Sequence, residues 1–126
     1  MKRILIVDDE RSITRLLKLN LEKTGAYAVR TENQGSKAFD AAREFQPHLI
    51  LLDVMMPDLD GGRVAAQLQN SSLKSIPIVF LTAAVRKEEV DARQGTIGGA
   101  PFIAKPGNVK SILAIIEENL NKPRSN

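Results

Sequence analysis

Short apolar runs that alternate with helical segments are the feature that most constrains this fold. The runs are Ile4–Val7, Leu49–Leu52 and Ile78–Leu81, and no polar residue interrupts any of them. Because strands with one solvated face alternate apolar with polar residues, unbroken runs predict central strands that are buried on both faces. Tyr27–Thr31 and Phe102–Ala104 are mixed or shorter, and they predict strands at the sheet edges.

Segments with helical periodicity fill the gaps between these strands. The first ends before Gly25, the second before Pro47 and the last before Pro123, while the third covers about Gly62–Gln69. Lys87–Gln94 is more charged and predicts a short or loosely held fourth helix. The apolar positions assigned to the core are Ile13, Leu16, Leu17, Leu21, Ala38, Ala41, Ala42, Phe45, Val64, Leu68, Val109, Ile112, Leu113, Ile116 and Leu120.

This alternation predicts an α/β fold with a single doubly wound parallel sheet. We expect five strands in the flavodoxin-like order 2-1-3-4-5, with five helices on two faces. The 126 residues suit one domain. We expect that domain to span residues 1–121 and to be followed by a polar C-terminal tail at 122–126.

The composition excludes several classes of protein. Cysteine is absent, which excludes disulfides, thiolate metal sites and cysteine nucleophiles, and which suits a cytoplasmic protein. The first apolar run is too short for a signal peptide, and no stretch approaches transmembrane length, so no membrane partner is expected. The net charge is +3, but the basic residues form no run, so direct nucleic-acid binding is not expected either.

Polar side chains at the ends of four strands point to a site. Asp8 and Asp9 follow the first strand, Asp53 ends the third, Thr82 ends the fourth, and Lys105 ends the fifth. The carboxyl ends of parallel strands meet at one sheet edge, so these side chains should converge there. Gathered carboxylates repel one another unless a cation neutralises them. Mg²⁺ suits the site because it prefers oxygen ligands and typically takes one or two carboxylates together with phosphate oxygens.

An aspartate beside such a cation can act as a phosphoryl acceptor. Asp53 would form an aspartyl phosphate, Lys105 would offset charge on the phosphoryl oxygens, and the Thr82 hydroxyl could donate a hydrogen bond to one of them. Taken singly, each residue has a plainer explanation, such as a solvated turn for Asp8 and Asp9. The complete set at successive strand ends favours the phosphoryl site.

These motifs resemble the receiver domain of two-component response regulators. The resemblance covers about Arg3 to Leu120. The residues that carry it are Ile4–Glu10 (ILIVDDE), Leu51–Gly61 (LLDVMMPDLDG), Phe80–Ala83 (FLTA) and Lys105–Pro106.

The resemblance implies a phosphorylation-controlled signalling module. Asp53 would take its phosphoryl group from a histidine kinase or a histidine phosphotransfer protein. Asp8, Asp9, Asp53 and the backbone carbonyl of Met55 would hold Mg²⁺, and Lys105 would pair with the phosphoryl group. Such a module catalyses its own phosphorylation and dephosphorylation without being a metabolic enzyme.

The resemblance also assigns a switch role to Thr82 and Phe102. On phosphorylation the hydroxyl moves toward the phosphoryl group and the aromatic ring turns inward, so the face formed by the fourth helix, fifth strand and fifth helix changes its partners. A phosphorylation-dependent dimer is one such partner, and the downstream target stays unknown. For Phe102, plain packing of an edge strand is an equally open explanation.

Two departures from the family pattern have consequences. The positions two residues after Asp53 and Thr82 often carry polar side chains that influence an attacking water, but here they are Met55 and Ala84. We therefore expect a long-lived aspartyl phosphate. The glycine-rich stretch Gly95–Pro101 implies an output surface that is either unusually mobile or specific to a different partner.

Nearby polar residues have structural explanations, and two other classes of protein require motifs that this sequence lacks. Asp58, Asp60 and Gly61 are expected to be turn residues rather than ligands, and His48, at the opposite end of its strand, is expected to be a surface residue. The haloacid dehalogenase type of phosphotransferase needs an Asp-x-Asp pair that is missing here. A flavin carrier needs a hydroxyl-rich phosphate loop after the first strand, but here that place holds Asp8-Asp9-Glu10, which would repel a phosphate without a metal. A phosphate-independent interaction domain and a receiver segment of a larger hybrid kinase or regulator remain open alternatives.

Overall fold

The computed structural model describes the backbone of residues 1–82, 96–97, 100–104 and 109–121, and the side chains of residues 1–81 and 109–121. The strands are β1 (Lys2–Val7), β2 (Tyr27–Glu32), β3 (Leu49–Asp53), β4 (Ile78–Thr82), β5 (Thr96–Ile97) and β6 (Ala100–Ala104). The helices are α1 (Arg11–Lys23), α2 (Ala38–Phe45), α3 (Gly61–Gln69) and α4 (Val109–Asn121), and a 3₁₀ turn covers Gly35–Lys37.

The strands lie in the order β2-β1-β3-β4-β6-β5. The pairs β1 with β2, β1 with β3, β3 with β4, and β4 with β6 are all parallel. This arrangement confirms the predicted flavodoxin-like parallel sheet. The fourth predicted helix, at Lys87–Gln94, lies outside the described residues.

A short antiparallel strand is the feature of the sheet that the sequence did not predict. Thr96 pairs with Pro101 and Ile97 with Ala100, so β5 lies antiparallel to β6. In the sequence only Gly98 and Gly99 separate the two strands, and glycine is the residue type favoured in two-residue hairpin connections. The stretch that we predicted only as glycine-rich therefore contributes an edge to the sheet.

The core lies on both faces of the sheet. Ile4 and Ile6 pack with α1 and α4 on one face, while Leu5 and Val7 pack with α2 and α3 on the other. All five residues of β3 are buried, which confirms that the unbroken apolar run forms a central strand. Packing on both faces holds β1 and β3 in place, and the acidic residues lie at the carboxyl ends of these strands.

Helix α1 shows where the helical predictions hold and where one is wrong. It ends at Lys23, and Gly25 adopts a positive φ of 78°, as expected for a helix stop. Leu16, which we assigned to the core, is 53% exposed. The buried side of α1 centres on Leu17 and Leu21, and at about 100° per residue Leu16 falls on its flank. In the described part of the chain, no helix is both long and apolar enough to cross a membrane.

Candidate phosphoryl acceptor site

The register of the two central strands brings two carboxylates together. Val7 pairs with Leu52, so Asp8, which follows β1, and Asp53, which ends β3, emerge side by side. Asp8 is fully buried and Asp53 is 2% exposed, whereas Asp9 lies at the surface. One carboxylate oxygen from each of the three residues lies within 4.8 Å of the other two. The predicted convergence of these three residues is therefore present.

Each buried carboxylate is oriented by its own turn. Asp8 Oδ1 accepts a hydrogen bond from the Glu10 N–H at 2.9 Å, and Asp53 Oδ1 accepts one from the Met55 N–H at 3.3 Å. Both contacts join an aspartate to the backbone two residues later, the pattern of an Asx turn. The turns hold the two side chains in fixed directions where their strands end.

The chemistry of this donor set fits a hard divalent cation. Two ionised groups as close as Asp8 and Asp53 repel each other by roughly 3 kcal/mol at an effective dielectric constant near 20. Burial prevents water from fully relieving that repulsion. A cation that prefers oxygen ligands offsets this repulsion. Mg²⁺ typically keeps several water ligands, and phosphate oxygens could take their coordination positions.

The turn after β3 approaches the strand so closely that it requires glycine. A Cβ on Gly61 would overlap the carbonyl oxygen of Asp53 and lie 2.8 Å from the Val54 Cα. The Gly61 N–H donates to the Val54 carbonyl at 2.9 Å, and Asp60 Oδ1 caps α3 by accepting from the Gly62 N–H. Asp60 and Gly61 thus act as turn residues, as predicted.

Asp58 fastens the same turn to a neighbouring segment. Its carboxylate oxygens accept hydrogen bonds from the backbone N–H groups of Gly35 at 3.1 Å and Ser36 at 3.0 Å. The bond from the Ser36 N–H is the main cause that lowers the pKa of Asp58 from its ordinary value of 3.8. Asp58 is therefore a structural acceptor rather than a member of the acidic cluster.

Asp58 should make stability depend on pH in the acid range. A carboxyl group with a lowered pKa in the folded state stabilises the protein above its unfolded value of 3.8, and the effect is lost as pH falls through the folded value. We expect wild type to exceed Asp58→Asn in free energy of unfolding at pH 6, with the gap closing below about pH 4. Urea unfolding of both proteins across this range measures the gap; a gap that is constant or grows in acid contradicts the assignment.

The remaining predicted site residues are only partly described. Thr82 ends β4, directly after Leu81, which pairs with Asp53, and Phe102 on β6 pairs with Phe80. These are backbone positions, and the side chains of Thr82 and Phe102 are outside the described part. Lys105 and Ala84 lie outside it entirely.

His48 lies at the opposite end of the sheet from the acidic cluster. It is half-buried, its Nδ1 accepts a hydrogen bond from the Arg3 N–H at 2.9 Å, and its own N–H donates to the Arg3 carbonyl at 2.7 Å. It therefore joins the starts of β1 and β3 and is more enclosed than the surface position predicted for it.

Asn33 is a residue near the site that the sequence analysis missed. Its Nδ2 donates to the Asp8 carbonyl at 2.8 Å and to Thr14 Oγ1 at 3.1 Å. It follows β2, whose carboxyl end lies at the same sheet edge. The rule that sites form where parallel strands end, which we call the strand-end rule, could therefore have found it. The site residues predicted from the sequence come from the four other strands and omit this edge strand.

Comparison with known proteins agrees with this geometry. Residues 4–117 match the family model described as the response regulator receiver domain. The alkaline phosphatase synthesis transcriptional regulatory protein PhoP of Bacillus subtilis is 41% identical over 122 residues, which cover 96% of this chain and 49% of that protein. The chain thus spans about half the length of this relative.

Solved structures show the same fold over nearly the whole chain. The non-phosphorylated HemR receiver domain of Leptospira biflexa has a TM-score of 0.82 and 30% identity, with 100% of this chain and 99% of that chain covered. The BeF3-activated N-terminal receiver domain of Klebsiella pneumoniae RstA has a TM-score of 0.81 and 26% identity, with coverage of 96% and 100%. A CheY-like receiver domain protein from Methanospirillum hungatei has a TM-score of 0.81 and 26% identity, with 96% of this chain and 94% of that chain covered. The chain therefore belongs to the receiver domain family of two-component response regulators.

Proposed function

We propose that this receiver domain accepts a phosphoryl group on Asp53 from a histidine kinase or a histidine phosphotransfer protein. The observation that carries the proposal is the burial of Asp53 within 4.8 Å of the carboxylates of Asp8 and Asp9. A cluster of this kind is costly without a cation, and in a protein of this family it is explained by phosphoryl transfer. The descriptions of HemR as non-phosphorylated and of RstA as BeF3-activated support the same role.

The transfer is a displacement at phosphorus. A carboxylate oxygen of Asp53 forms a bond to the phosphorus of a phosphohistidine, the P–N bond breaks, and its electron pair returns to the imidazole. Bound Mg²⁺, held by Asp8, Asp9, Asp53 and the Met55 carbonyl, would neutralise charge on the phosphoryl oxygens. The Asx turn at Met55 keeps the attacking carboxylate in a fixed direction.

Residues on β4 and β6, together with Lys105 directly after β6, would complete the site and its switch. Lys105 would pair with the phosphoryl group, and the Thr82 hydroxyl would donate a hydrogen bond to it. Thr82 and Phe102 would then change the face formed by Lys87–Gln94, β6 and α4, with Lys87–Gln94 supplying the fourth of the five predicted helices. A phosphorylation-dependent dimer would use this face.

The output and its cellular location follow from the same proposal. PhoP is named a transcriptional regulatory protein, which supports an output in transcription for a parent protein that carries this domain. Phosphorylation by a histidine kinase or a histidine phosphotransfer protein would take place in the cytoplasm, where we place the domain. A phosphate-independent interaction role is the alternative that the following experiment separates.

Incubation with acetyl phosphate tests the proposed function. The protein is mixed with the donor and MgCl2 or with the donor and EDTA, and the intact mass is measured. We expect one added phosphoryl mass with Mg²⁺ and none with EDTA. An unchanged mass in both mixtures contradicts the proposal and favours the phosphate-independent role.

The phosphoryl group should remain on the protein for a long time. Met55 and Ala84 cannot orient an attacking water, so hydrolysis lacks side-chain assistance from these positions. After removal of donor, we expect decay on the order of minutes or longer and faster decay in Met55→Asn. The Met55 side chain is 63% exposed, so the polar replacement should fold normally. Loss of the phosphoryl group from wild type within seconds is the contrary result.

A further inference from the structure

The connection after β2 contacts both loops that carry the proposed metal ligands. Asn33 contacts the turn after β1, which carries Asp8 and Asp9, and Gly35 with Ser36 contacts the turn after β3, which carries Met55. We call residues 33–36 the bridging segment. The two turns extend from different strands, and in the described part this segment joins them to each other.

At the first turn, the chain around the bridging segment holds Asp8 by its backbone on both sides. The Asp8 N–H donates to the Glu32 carbonyl at 3.0 Å, and the Asp8 carbonyl accepts from Asn33 Nδ2 at 2.8 Å. The same Nδ2 reaches Thr14 Oγ1, which is 3% exposed and bonded to the Arg11 carbonyl at 3.1 Å. Asn33 therefore ties the Asp8 backbone to the first turns of α1.

At the second turn, close backbone packing adds to the hydrogen bonds of Asp58. A Cβ on Gly35 would lie 2.8 Å from the Leu59 carbonyl oxygen and 3.1 Å from Met56 Cε. Gly35 and Met56 are both buried, so the segment and the turn pack without space between them. The segment can thus fix the position of the turn that begins at Asp53.

We infer that Asn33 and Asp58 are positioning residues that set the separation of the two metal-ligand turns through the bridging segment. The inference rests on the proposed function. A metal site is sensitive to the groups that orient its ligands, and loss of one such group typically weakens metal affinity 10–100-fold. Because the segment works only when fastened at both ends, the losses from the two variants should overlap rather than multiply.

Mg²⁺ binding without any phosphodonor tests this inference. MgCl2 is titrated into wild type, Asn33→Ala, Asp58→Ala and the double variant, and the backbone amide NMR shifts of Glu10 and Met55 are followed. We expect about tenfold weaker affinity in each single variant and a double variant well short of the hundredfold product. Affinities within twofold of wild type, or fully multiplicative losses, overturn the inference.

Three further variants separate positioning from charge and general stability. Asn20→Ala removes an exposed amide that donates to a backbone carbonyl at 2.8 Å on α1, and it should keep wild-type affinity. Asp40→Ala removes a surface carboxylate on α2 that contacts neither turn. It controls for the loss of one negative charge and should keep wild-type affinity. Asp58→Asn keeps one of the two acceptor oxygens, enough for the N–H of either Gly35 or Ser36, and should recover part of the affinity, even if Asp58→Ala folds poorly.

The result for wild type distinguishes the two proposals. If wild type binds Mg²⁺ and accepts the phosphoryl group while Asn33→Ala and Asp58→Ala keep its affinity, only the positioning role is wrong. If wild type binds no Mg²⁺, the proposed function and the positioning role both fail. At saturating Mg²⁺ the single variants should regain wild-type phosphorylation, since their acceptor and ligands are intact.

Discussion

Asp53→Asn is expected to abolish Mg²⁺-dependent phosphorylation while leaving the fold intact. The amide has the same shape as the carboxylate and its oxygen can still accept the Met55 N–H, so the turn after β3 keeps its hydrogen bond. The amide cannot attack phosphorus as a carboxylate does. Intact mass after incubation with acetyl phosphate and MgCl2 should show no added phosphoryl group.

Asp60→Asn is the matched control for this variant. It changes a carboxylate in the same loop, but asparagine is as good an N-cap as aspartate, so α3 keeps its start. The control should be phosphorylated like wild type. Phosphorylation of Asp53→Asn to the wild-type extent contradicts the assignment of the acceptor.

Gly61→Ala is expected to cause the largest loss of stability. The new methyl group would overlap the Asp53 carbonyl, and Asp53 ends a central strand that is buried on both sides, so neither group can move cheaply. We expect a loss of about 3 kcal/mol in the free energy of unfolding, or a fall of roughly 10–15 °C in Tm. Thermal unfolding followed by circular dichroism measures the shift.

Gly62→Ala provides the comparison at the next position. There the added Cβ meets only Asp60 Oδ1, at 3.1 Å, and alanine favours the helix. Its stability should stay within about 1 kcal/mol of wild type. Equal effects of the two substitutions would mean that helix propensity, rather than the approach to Asp53, governs this turn.

Periodicity was enough to predict the parts of the fold that depend on burial. An apolar run such as Leu49–Leu52 has one stable placement, the centre of a covered sheet, and the structure confirms it. The strand-end rule then brought Asp8 and Asp53 together, because parallel strands in register end at the same edge. Both predictions need only local patterns and one topological rule.

Features that depend on a particular side-chain direction could not be predicted in the same way. The apolar pattern of α1 did not show that Leu16 lies on the flank of its buried side, because small rotations of a helix decide exposure there. Asn33 has no motif of its own, and its role depends on which carbonyl its amide reaches. The short pairing of β5 with β6 had a local signal, the Gly98-Gly99 pair, but the two residues of β5 are too few to show a strand periodicity.

The position of the modified residue distinguishes Asp53 from any other phosphoryl acceptor in the chain. The protein is treated with acetyl phosphate and MgCl2, reduced with sodium borohydride, which converts an aspartyl phosphate into homoserine, and digested for peptide mass spectrometry. We expect homoserine at position 53 and unmodified aspartate at Asp8 and Asp9. Phosphate on a serine or threonine, or homoserine at another aspartate with Asp53 unchanged, would contradict it.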